Sequence, residues 1–304
     1  MTQTTQTTPA LELFSRAFQN PVSKEFQKNA LSWQFYHAIL SHHSFGSNLS
    51  ADLIKAKTSQ LINLLFYQLS QKDFEKAAEL FSSPFIFDEF SNAYGNFVNF
   101  RHPKKRQTFL SPYFYGQSLA FIGKEDPLLK HLILDSRPHF SQMSSISNTG
   151  TLKRHDSALI TSFLHNMPDP KAMLNNISSS GFKRLFVEEE VLVSKEDQAL
   201  PLPGINEIWV AALQSPFMKV FLQMSIEEQL QSCRIAEFIE ELCMHADHNV
   251  AFLGQFNTIA YWVKLFTETG WRVDKIKFFG FSQDEFKPVC KALFILSNNL
   301  AAGV

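Results

Sequence analysis

Apolar residues in the first third of the chain recur at three-to-four spacing, the period of helices that bury one face. The pattern runs from Leu11 to Phe18, then from Ser23 to Leu40 through Phe26, Ala30, Trp33, Tyr36 and Leu40. A third stretch, Ser50 to Leu69, carries Leu53, Ala56, Leu61, Leu64 and Leu65 at the same period. A fourth is predicted from Gln71 to Phe81, stopping before Pro84. Helical spacing weakens over residues 85–100, which are rich in aromatic residues and Asn. The basic stretch Arg101 to Arg106 contains a proline and reads as an exposed, solvated connector.

From about Ser118 the period changes. Short apolar runs (SLAFIG, HLILD, SALITSFL, RLFVEEEVLV and finally ALFILS) alternate with helical segments. Strands separated by helices predict crossover connections and parallel pairing. Continuous rather than alternating apolar runs predict strands covered on both faces. The expected fold is therefore α/β, a mostly parallel doubly wound (Rossmann-like) sheet preceded by a helical N-terminal region. Residues 1–110 form that region, and 111–304 the α/β domain, with a helical insertion at about 205–245. Ligands of such sheets bind at the carboxyl ends of the strands, so the residues just after each run are the candidates.

Composition narrows the classes. The chain has 304 residues, 45% of them hydrophobic and only 19% charged, which excludes a disordered or low-complexity protein. A net charge of −1 lacks the basic surplus that phosphate backbones select, so nucleic acid is not the expected partner. Cys233, Cys243 and Cys290 form no paired framework, and a reducing, cytoplasmic setting is predicted. The start, MTQTTQTTPA, has neither the basic nor the apolar region of a signal peptide. No apolar run reaches the roughly 18 residues of a membrane span, so no membrane partner is expected. The 31 phenylalanines require a large core or a ring-lined pocket.

The stretch 158–192 carries the chemistry. Ser162-Phe163-Leu164-His165-Asn166-Met167-Pro168-Asp169 follows a strand and precedes a helix containing Ala172, Met173, Leu174 and Ile177. Gly181 ends that helix, and Gly181-Phe182-Lys183-Arg184-Leu185-Phe186-Val187-Glu188-Glu189 leads into the next strand. Both segments resemble, nearly position by position, the turn after the fourth strand and the fifth strand of class I S-adenosylmethionine-dependent methyltransferases, small-molecule O-methyltransferases especially. Tyr261 to Val273 is similar to the late helix and turn of that family, and ALFILS to its last strand. The resemblance covers about residues 118–298. It implies S-adenosylmethionine as cofactor, a small hydroxylated or aromatic substrate, and an N-terminal region that closes the pocket or forms a homodimer.

By that resemblance the cofactor site takes in Phe121, Gly123, Asp135, Ser162, Phe163 and His165. Gly123 stands at the first glycine of the family's glycine-rich turn, but Lys124-Glu125-Asp126-Pro127 replaces the rest. Asp135 falls where an acidic residue would hold the ribose hydroxyls, with only eleven residues between it and Gly123. Two rival readings follow: a methyltransferase fold kept as an inactive binding or assembly module, and a cofactor-binding protein with non-methylating chemistry.

His165 reads either as a chemical group or as a locally hydrogen-bonded turn residue. His248, fourteen residues before Trp262, matches approximately the placement that the resemblance implies for a general base. A histidine near neutral pKa suits removal of a hydroxyl proton. His245, Asp247 and His248 form a weaker metal reading, without a further ligand cluster. Glu188, Glu189 and Glu190 cannot all face one way in a strand, so one or two are expected in the pocket and the others at helix caps or in solvent. Trp209, Phe217, Met218, Phe221 and Met224 wall an apolar pocket or, more simply, belong to the core.

Overall fold

The structure, a computed structural model, describes residues 9–43, 50–82, 118–122, 139–143, 156–161, 163–203, 205–206, 216–244, 253–281 and 289–299. They divide into two compact units. The first comprises Met1–Phe100, Gln223–Gly254 and Gln283–Pro288, the second Arg101–Leu222, Gln255–Ser282 and Val289–Val304.

The first unit is helical: α1 (Pro9–Gln19), α2 (Pro21–His43), α3 (Ala51–Ser70) and α4 (Phe74–Ser82). Ser50 caps α3 by accepting from the Leu53 amide at 3.2 Å. Lys72 takes a left-handed backbone (φ 57°), so α4 begins at Phe74 rather than at Gln71 as the periodicity predicts. A later helix (Ile226–Ile239, numbered α7 in chain order) joins these four. Ser225 and Glu228 start it with a reciprocal capping box. Its Ser232 hydroxyl donates to Gln27 Oε1 of α2 at 3.2 Å. Its Phe238 stacks on Phe14 of α1 with ring centroids 3.9 Å apart. Residues far apart in sequence therefore share one core, which also buries Leu31, Phe35, Leu65 and Ile239.

The second unit holds a sheet of β1 (Ser118–Ile122), β2 (His139–Met143), β3 (Ser157–Thr161), β4 (Arg184–Leu192), β5 (Asn257–Thr258), β6 (Trp271–Phe281) and β7 (Cys290–Asn298). Between them lie α5 (Pro170–Ser179), α6 (Pro216–Phe221) and α8 (Ile259–Glu268). The strand order is β2-β1-β3-β4-β7-β6, with β5 paired to β4. Pairs β1–β2, β1–β3 and β3–β4 are parallel, while β7 runs antiparallel to both β4 and β6. This is the mostly parallel, Rossmann-like α/β class. Every residue of β3 is buried, as its unbroken apolar run requires.

From β1 the chain passes to β2 on one side and then returns to β3 on the other. The order thus reverses between β1 and β3, and the crevice outside their carboxyl ends is where this architecture binds ligands. Gly181 closes α5 with φ 86°, the left-handed conformation that glycine adopts without cost. Asn298 at the end of β7 donates to the carbonyls of Ser178 and Phe182, both at 3.0 Å, and fixes that corner against the sheet.

Three strands, β2, β5 and β6, were not foreseen, and β5 is only two residues long. β2 (HFSQM) and β6 (WRVDKIKFFGF) intersperse polar residues, so neither forms the apolar run that marks a buried central strand. Among the described residues each is the last strand on its side of the sheet. The run HLILD, read as a strand, lies outside the described residues.

Candidate functional site

The site forms where β3 ends. Phe163 leaves extended geometry (φ −127°, ψ −35°), and Leu164–Asn166 make one turn of 3₁₀ helix. Pro168 and Pro170 prevent that turn from propagating. Asp169 then caps α5, its Oδ1 accepting from the Ala172 amide at 2.9 Å, with Pro170 at the first helical position where no N–H is needed.

Glu189 of the neighbouring strand holds the turn. Its Oε2 accepts from the backbone amides of Leu164 (2.8 Å) and His165 (3.3 Å). Its Oε1 accepts from the Glu190 amide at 2.9 Å and from His165 Nδ1. Four donors meet on one buried group, and a carboxylate, which only accepts, can satisfy them all. Phe256 lies nearly parallel to the imidazole, with centroids 5.7 Å apart at 20°. The Gln255 amide donates to the His165 carbonyl at 2.7 Å. With Nδ1 donating, the neutral ring keeps its lone pair on Nε2, which stands 3.9 Å from Glu190 Oε2. Glu190 in turn stands 3.8 Å from Lys291 Nζ, its cross-strand partner on β7.

All three glutamates are buried, and none meets solvent as the alternation argument allowed. From Leu185 to Leu192 the strand is enclosed, so neither face of the pleat reaches water there. Glu189 does fulfil the expectation of a cap, for the 3₁₀ turn. Its pairing with His165 was missed. The signal was available: three carboxylates inside an apolar run demand partners, because a buried charge without one is very costly.

Among the other expected site residues, Phe121 is fully buried in β1, where it pairs with Gln142 of β2 and Leu159 of β3. Phe163 is half-buried. Gly123, Asp135, Ser162, His245, Asp247 and His248 lie outside the described residues, as does Trp209. Among the described residues no cluster of His, Cys, Asp and Glu could hold a metal ion. Met218 and Phe221 of α6 are buried, and Phe217 is half-buried.

A second carboxylate organises the far end of β4. Asp197 Oδ2 accepts from the Ser194 amide at 2.6 Å, and Oδ1 accepts from the Ala260 amide in the first turn of α8 at 2.9 Å. Burial raises its pKa above the ordinary carboxylate value, against the lowering effect of these bonds. An acid with a raised folded pKa stabilises below its unfolded value, and that contribution is lost as pH rises through the folded one. Asp197→Asn does not titrate. The gap in Tm between wild type and this variant is therefore expected to narrow as pH rises from about 4, and a gap that widens would refute the sign.

No protein-family model and no curated protein matches the sequence. The chain is similar to several solved methyltransferase structures. The pyocyanin biosynthetic protein PhzM matches at 12% identity over 79% of this chain and 76% of that one, with a TM-score of 0.34. Human N-acetylserotonin methyltransferase, solved with SAM, matches at 14% identity over 82% and 70%, TM-score 0.35. The trans-methyltransferase CalH, solved with SAH, matches at 9% identity over 91% of each chain, TM-score 0.34. The fold assignment rests on the strand order and register above.

Proposed function

We propose that this protein binds S-adenosylmethionine and methylates a hydroxyl group of a small, aromatic or hydroxylated substrate, with His165 as proton acceptor. The observation that carries this reading is the His165–Glu189 pair on the turn after β3, beside the point where the strand order reverses. The motif resemblance of residues 162–169 and 181–189 supports it. When bound, the cofactor supplies an electrophilic methyl group on a sulfonium. The half-buried Phe163 fits such a group, since an aromatic face receives a cation or a purine ring. Phe121, Gly123, Asp135, Ser162 and His165 complete the proposed cofactor site, as the resemblance implies.

Glu189 fixes the imidazole so that Nε2 carries the lone pair, and that nitrogen takes the proton which the substrate hydroxyl gives up as its oxygen is methylated. The proton is held on the ring, where the imidazolium is stabilised by Glu189 and Glu190. Positioning supplies much of the remaining acceleration.

Calorimetric titration with S-adenosylmethionine tests the cofactor, with binding expected at micromolar strength, about −8 kcal/mol. No heat at millimolar cofactor would favour an inactive binding module, the reading to which Lys124-Glu125-Asp126-Pro127 in place of a glycine-rich turn points. The base is tested by two variants. His165→Gln is expected to lower kcat by about 100-fold or more with cofactor affinity little changed, and His248→Ala to leave turnover intact. The reverse pattern would transfer the role to His248.

A further inference from the structure

Beyond the His165–Glu189 pair stand Glu190 and Lys291. They form an ion pair across β4 and β7, residue opposite residue in the antiparallel register. The Glu190 side chain is 6% exposed and that of Lys291 16%. Such a pair is a weak source of stability, because desolvating both charges offsets most of their attraction. Its position is more informative. Glu190 reaches Lys291 with Oε1 at 3.8 Å and approaches His165 Nε2 with Oε2 at 3.9 Å, so one carboxylate lies between the ammonium and the imidazole.

Facing the imidazole from β4 are Glu189 and Glu190, and from residues 255–256 the uncharged Phe256 ring and the Gln255 amide. Lys291 faces Glu190 from β7. Two carboxylates alone beside a buried imidazole would hold it protonated, since each opposite charge within about 4–6 Å favours the charged form by one unit or more. A permanently protonated His165 could not accept a proton. Lys291 counters one of the two carboxylates.

We propose that the Glu190–Lys291 ion pair sets the proton affinity of His165, keeping Nε2 a usable base near neutral pH. Glu190 and Lys291 are thus positioning residues that act through the imidazole. The proposal rests on the reading of His165 as the base, but the charge arrangement is measurable without any turnover.

The test is an NMR titration of the His165 ring, assigned by its disappearance in His165→Gln, in the full-length protein without cofactor. Glu190→Gln removes the charge nearest Nε2, and the His165 midpoint is expected to fall by about one pH unit. Lys291→Met removes the charge that counters Glu190 across the strands, and the midpoint is expected to rise by about half a unit. Opposite shifts are the signature, because a merely structural pair would move both variants the same way or neither. Thermal melts identify any variant that fails to fold, and if Glu190→Gln does so, Glu190→Met, which also lacks the charge, takes its place with the same expected fall. Unchanged midpoints, or shifts of the same sign, would overturn the proposal. If the opposite shifts appear while the protein neither binds S-adenosylmethionine nor turns over, the ion-pair control stands and the methyltransferase reading falls.

Discussion

Glu189→Ala is expected to destabilise the protein by about 3–5 kcal/mol, the range for removing one partner from a buried charged network. The substitution strands the amides of Leu164, His165 and Glu190 and the His165 Nδ1–H, all of which now share one carboxylate. It also leaves a void beside β3. Glu189→Gln separates the two contributions. The amide keeps one oxygen acceptor and the volume, but turns an NH2 group toward donors, so its expected cost is about 1–3 kcal/mol. Urea denaturation at neutral pH, read from the shift in midpoint at constant slope, distinguishes them. The methyl transfer proposed above should be lost in Glu189→Ala, which leaves nothing to fix the ring with its lone pair on Nε2. Equal losses below about 1 kcal/mol in the two variants would mean that the carboxylate does not anchor the turn.

Why this glutamate escaped the sequence reading is instructive. The run RLFVEEEVLV was legible as a buried strand, and the turn from Phe163 to Pro170 was legible from its prolines and the capping Asp169. Periodicity states that neighbouring side chains point to opposite faces, and three glutamates then suggested at least one in water. The sheet is covered on both faces, so alternation decides only which partner each carboxylate meets. Glu189 meets a turn 24 residues earlier, across β3, a pairing that no local pattern encodes.

The central apolar strands and most helices of the first unit were legible, because each buries a face that local sequence writes plainly. The outer strands β2 and β6 were not, since pairing rather than composition makes them strands. The helical stretch near residues 226–244 could be read as helical, but not as a member of the N-terminal core. Its partners are fixed by long-range contacts such as Phe14 on Phe238. The decisive Gly123–Asp135 segment and His248 lie outside the described residues, so cofactor titration and the His248→Ala variant carry that part of the question.

That long-range contact yields the second large effect. Phe238 is 3% exposed, stacks on Phe14 at 3.9 Å and meets Phe74 edge-on at 5.4 Å. Phe14 continues to Phe18 (5.1 Å) and Phe18 to Phe66 (5.6 Å), so one chain of rings links α1, α3, α4 and α7. Truncating such a ring removes its transfer free energy and leaves a cavity, a cost of about 3–5 kcal/mol. Phe238→Leu keeps much of the apolar volume and loses chiefly ring-on-ring geometry, worth about 0.5–1.5 kcal/mol per pair. The difference between the variants measures how much of this core depends on bulk and how much on ring geometry. Because α1 is held to α7 through Phe14, Phe238→Ala should expose the amides of both helices to hydrogen exchange together. If α1 kept its protection while α7 lost it, the rings would not be the joint, and the smaller contacts of Ala10 and Ala17 would have to supply the attachment instead.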